Sequence, residues 1–73
     1  MKNSIELNAW NNEANAQYES WGFYAKRYNE LTEEERNQVS IGGRTVGQYL
    51  KDNYAMAKAR WEHACAMVAK LSA

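Results

Sequence analysis

Residues 45–71 read TVGQYLKDNYAMAKARWEHACAMVAKL, and this stretch decides the fold. Val46, Leu50, Tyr54, Ala57, Trp61, Ala64, Val68 and Leu71 recur at intervals of 4, 4, 3, 4, 3, 4 and 3. Such intervals follow the 3.6-residue period of a helix with one apolar stripe. Thr45 with Gln48 three residues on is a capping-box pattern, so the spacing predicts a helix of roughly 26 residues, about 39 Å long. A stripe of that length needs a partner of similar length. Trp10, Ala14, Tyr18, Trp21, Ala25 and Tyr28 supply one, at intervals of 4, 4, 3, 4 and 3. They predict a helix over residues 7–29, with Ser4 as its candidate N-cap. Between the two, Thr32-Glu33-Glu34-Glu35 repeats the capping-box pattern and sets three acids at the positive end of a helix dipole. It predicts a short helix over 33–40, closed by Gly42-Gly43 in left-handed backbone angles. The expected fold is all-α: one domain over 1–73, an antiparallel helical hairpin or three-helix domain with two long helices and one short. Trp10, Trp21 and Trp61 are expected in the shared seam, and about the first six residues are expected to be disordered.

Composition supports a thin core. Leu, Ile, Val and Phe number only 10 of 73, a share low enough to raise the question of disorder. Three Trp and five Tyr answer it, since each buried aromatic removes about 150–250 Å² from water. Eleven alanines and no proline favour helix, because Ala loses no side-chain entropy there and Pro breaks the backbone ladder.

Nine basic and nine acidic residues leave no net charge, which argues against a general nucleic-acid or membrane-surface binder. The sequence offers no apolar run of about 20 residues for a membrane span, and its start lacks the apolar segment of a signal peptide. The lone Cys65 allows no internal disulfide, so a cytoplasmic setting is expected.

Catalysis finds little material. His63 falls opposite the third-helix stripe, on the solvent side, and Cys65 diverges from it by about 200° around a helix. One His without a second ligand supports neither zinc nor a triad, and Cys65 lacks the neighbouring cation or helix N-terminus that would activate it. No catalytic, metal or cofactor residue is expected, and the chain reads as a non-enzyme. Gly42-Gly43-Arg44-Thr45 precedes a helix but lacks the Lys and spacing of a phosphate loop. The second and third helices could form a helix-turn-helix presenting Val46, Gly47, Gln48 and Lys51 to DNA. Residues 37–73 do carry +3, yet few of those charges lie at the turn, so a small DNA-binding repressor is the alternative reading.

Phe23 departs most from the pattern. It projects about 160° from the Trp21 and Tyr28 stripe, toward Asn12, Ala16, Arg27 and Glu30. Two readings are open. Either Gly22 bends the helix and returns Phe23 to the core, or Phe23 is an exposed contact anchor flanked by Tyr24 and Arg27, residue types enriched at binding hot spots.

From the Asn-rich opening MKNSIELNAWNNEANAQYESWGFYAKRYNEL to the Ala-rich closing helix, the chain resembles the small phage-encoded transcription regulators that bind host RNA polymerase, of the kind carried by a Xanthomonas phage. The resemblance implies binding to the amino-terminal region of the β′ subunit and to the β flap. It also implies inhibition of initiation by displacing σ, antitermination during elongation, and residence in the host cytoplasm. On the residues themselves, Phe23, Tyr24 and Arg27, with Ile5 and Leu7, are expected on the protein partner. Arg44, Lys51 and Lys58 are expected to approach an acidic partner surface or RNA. The free chain is expected to be a monomer that binds no specific DNA and no membrane, with dimerisation through the third helix as the rival state.

Overall fold

The computed structural model describes residues 2–73, and the side chains of all of these except residues 2, 3 and 41. Helix α1 spans Lys2–Glu30, α2 spans Glu33–Arg36, a 3₁₀ turn occupies Ile41–Gly43, and α3 spans Val46–Ser72. The long helices α1 and α3 pack against each other as an antiparallel hairpin, with α2 against the start of α3. The expected all-α architecture is therefore the observed one. The molecule measures 52 × 22 × 14 Å, with a radius of gyration of 15.8 Å. A globular chain of this length would have about 11 Å, so this is a rod with much surface for its mass.

The rod shape dictates what can be buried. Two helices share one seam, so only residues at its centre lose water on all sides. Those residues are small: Ala64 is 0% exposed, Ala57 4% and Ala14 8%, with Leu50 and Leu31 closing the loop end. Trp10, Trp21 and Trp61 line the seam as expected, but along its flanks and half-buried. Ring size explains this, because an indole at the centre would hold the helix axes apart while alanine lets them approach. Trp21 and Trp61 meet at 5.2 Å between ring centroids, and Tyr54 packs on Trp21 at 5.8 Å. Tyr18, read as a stripe residue, sits at the margin and is 59% exposed.

Helix α1 begins at Lys2, ahead of the expected start at residue 7, so Ser4 lies inside it and caps nothing. Of the six residues expected to be disordered, Met1 lies outside the described residues and 2–6 belong to this helix. The glycine at 22 introduces no break; a Cβ there would meet nothing within 4 Å.

The loop end differs from the sequence reading. Thr32 and Glu35 form the full capping box: Glu35 N donates to Thr32 Oγ1 at 3.2 Å, and Thr32 N donates to Glu35 Oε1 at 2.9 Å. The helix they start nevertheless stops at Arg36, one turn long, instead of reaching residue 40. A β-bridge between Val39 and Thr45 takes over the backbone, with Ser40 N donating to Arg44 O at 2.6 Å and Val46 N to Gln38 O at 2.8 Å. Gly42 and Gly43 do have positive φ, 75° and 77°, but at the tip of this bridged loop. Thr45 accepts from Gln48 N at 3.1 Å as expected, while the Gln48 amide turns away to donate to Asp52 Oδ1 at 2.7 Å.

These contacts make the loop end acid-sensitive. Hydrogen bonds from the Thr32 backbone and hydroxyl hold the Glu35 carboxyl below its ordinary range. Those from Gln48 and then Arg44 do the same for Asp52. A carboxylate with a lowered folded-state pKa adds stability above the ordinary value of about 4 and loses it as pH falls through the folded value. The thermal midpoint is expected to fall between pH 6 and pH 3, and less steeply in Asp52→Asn. A midpoint flat over that interval would contradict the assignment.

Candidate functional site

Helix α1 runs unbroken through Gly22 and leaves Phe23 outside the core, which settles the two readings of Phe23. Its side chain is 61% exposed on the back of α1, edge-on to the Tyr24 ring at 5.5 Å. Lys26, Arg27 and Glu30 border it and complete a shallow hollow of about 130 Å³. Glu30 sits between two cations, with Arg27 Nη1 at 3.8 Å and Lys26 Nζ at 3.9 Å. Such exposed pairs within one helix add little to stability but set the charge pattern around the ring. Phe23, Tyr24 and Arg27 are thus brought together.

The remaining sequence-derived residues fall elsewhere. Ile5 is 80% exposed and Leu7 half-buried. Eighteen residues separate Ile5 from Phe23, five full helical turns, so Ile5 shares that outer face about 27 Å away. Arg44 belongs to the loop end, where its Nη1 donates to Asp52 Oδ2 at 2.6 Å and its guanidinium lies 5.7 Å from the Tyr49 ring centre. Lys51 and Lys58 border the seam on one flank. Lys51 Nζ lies 5.4 Å from the Tyr28 ring centre and Lys58 Nζ 5.7 Å from that of Trp21. Arg36, which the sequence reading left out, covers Tyr28 at 4.6 Å. Only the relative rotation of the helices puts these cations on rings, and no local pattern encodes that rotation.

His63 is exposed as expected, but it is not free of the seam: its ring meets Trp10 edge-on at 5.3 Å. Cys65 is a free, half-buried thiol. Among the described residues, no three His, Cys, Asp or Glu side chains gather where they could share a metal ion. No helix among them is long and apolar enough to cross a membrane. The loop end is not a helix-turn-helix. Its first helix is a single turn, Gly47 is buried with Arg36 Cβ only 3.1 Å from where its own Cβ would stand, and Gln48 is held by Asp52. Of the four residues a recognition helix would offer to bases, Lys51 carries the one charge, and its Nζ lies 5.4 Å from the Tyr28 ring centre.

What the surface provides is contact chemistry: exposed aromatic edges, cations held against rings, and a long face free of other structure. No protein family, curated protein or solved structure matches this chain.

Proposed function

We propose that the protein is a non-enzymatic transcription regulator that binds host RNA polymerase in the host cytoplasm, through the β′ amino-terminal region and the β flap. In this reading it displaces σ at initiation and allows elongating polymerase past terminators. The sequence resemblance names the partner. The observation that carries the binding mode is Phe23, a large apolar ring 61% exposed on an unbroken helix. Folding gains little from that placement beyond the edge contact with Tyr24, whereas a partner covering the ring would remove it from water. The rod form suits the task, because a chain this small must offer about 800 Å² to hold a specific partner. Binding then works by occupation: the chain covers a surface that σ needs and alters nothing covalently. A duplex-DNA repressor gains no support from the buried Gly47 and the one-turn α2.

The test is retention of purified polymerase on immobilised protein. Phe23→Ala and Arg27→Ala are expected to weaken retention, the former by at least about tenfold, with helicity unchanged. Undiminished retention by both folded variants would remove this face from the mechanism.

A further inference from the structure

A second surface, which borders the Phe23 face at Tyr24, runs along the flank of the seam where the large rings gather. Two hollows adjoin there, sharing Ala25 and Tyr54. One, of about 290 Å³, opens between Tyr24 and Tyr28 of α1 and Leu50, Lys51 and Tyr54 of α3. The other, of about 270 Å³, continues past Trp21 to Tyr18, and the missing side chain of Gly22 leaves its wall open. No carboxylate lines either hollow, while Lys51, Lys58 and Arg36 lie on rings at the rim.

We propose that this flank is a docking groove for an acidic amphipathic segment of a partner protein. One leucine- or phenylalanine-sized side chain fills the hollow between Tyr28 and Tyr54, and carboxylates beside it pair with Lys51 and Lys58. The size fits, since a cavity of about 150 Å³ already holds a benzene ring. Charge fits as well: the rim offers three cations and the walls no competing acid. Seven residues separate the two lysines, about 10 Å along α3, which matches carboxylates seven apart on a partner helix.

A single-stranded nucleic acid would also meet aromatic rings and lysines, but it needs open ring faces for base stacking. Here Trp21 packs against Tyr18, Tyr54 and Trp61 with Lys58 Nζ also near its ring, and Tyr28 has both Arg36 and Lys51 close to its ring centre. Rings so occupied make a wall for an apolar side chain, and the cations held on them are ordered in advance to receive carboxylates.

The experiment is an amide NMR titration of the whole chain with a synthetic 15-residue peptide carrying Glu at positions seven apart and a Leu between them. A Gln-for-Glu peptide and a ten-nucleotide oligouridylate run alongside. The acidic peptide is expected to shift the amides of Ala25, Tyr28, Leu50 and Tyr54. The Gln peptide, and the exposed pair Lys51→Glu with Lys58→Glu, are each expected to weaken binding about tenfold. Added salt should weaken it too. Shifts absent from the groove, affinity indifferent to the lysine changes, or oligouridylate binding there in place of the peptide would overturn the proposal. Polymerase retention plays no part in this readout, so the two proposals fail separately.

Discussion

Trp21→Ala is expected to cost about 3 kcal/mol, the lower end of the range for truncating a packed indole, because the ring is half-buried. Its four neighbours set that size. Trp61 lies 5.2 Å away between ring centroids, Tyr18 5.7 Å and Tyr54 5.8 Å, and Lys58 Nζ stands 5.7 Å from the ring centre. Alanine removes the ring on which the other three aromatics lean, and Tyr18 is already 59% exposed. A chain of 73 residues holds only about 4–11 kcal/mol in total. At about 4–8 °C for each kcal/mol, the melting midpoint should fall by more than 10 °C. Circular dichroism melts measure it, and a midpoint within about 2 °C of the parent would show that the aromatic flank does not hold the hairpin. Trp61→Ala should act through the same contact, so the double variant should lose less than the two single losses added together.

The parts of the fold legible in the sequence are those governed by local period and local caps. The spacing from Val46 to Leu71 gives α3 its start at Val46 and nearly its end, and Thr32 and Thr45 cap where they were expected to. Period alone cannot rank the members of a stripe. It places Ala57, Trp61 and Ala64 on one face, while the separation of the helix axes decides that the alanines take the centre and the indole the flank. Nor could local propensity end α2. The acids and cap of residues 32–35 favour continuation, and the bridge between Val39 and Thr45, a contact across the loop, overrides them. Phe23 was legible as a ring off the stripe, but whether a bend at Gly22 returned it to the core was not, and the unbroken α1 with Phe23 exposed decides it. Lys51 and Lys58 were legible as exposed cations but not as ring-bound ones, since Tyr28 and Trp21 belong to the other helix.

Ala64→Leu tests the close approach of the helices directly. Ala64 is 0% exposed, and Ala57 and Ala14 are nearly as enclosed. A leucine here adds three carbons where no solvent-facing path exists for them. On an exposed helix position the exchange is nearly neutral, since Leu and Ala have similar helix propensities. In a filled seam it forces the axes apart or drives side chains off their rotamers, which typically costs about 1–3 kcal/mol. The loss should reach the upper part of that range, because moving the axes apart also loosens Trp21 against Trp61, which lies less than one turn from Ala64 along the same seam. Ala66, exposed on the outer side of α3, provides the matched comparison. Ala66→Leu should change stability by no more than about 0.5 kcal/mol. A thermal midpoint lower by about 10 °C for Ala64→Leu, beside an unchanged one for Ala66→Leu, is the expected pattern. Stabilisation by Ala64→Leu would mean the seam has room at its centre, and the helices would then be held apart by their aromatic flanks instead of drawn together through alanine.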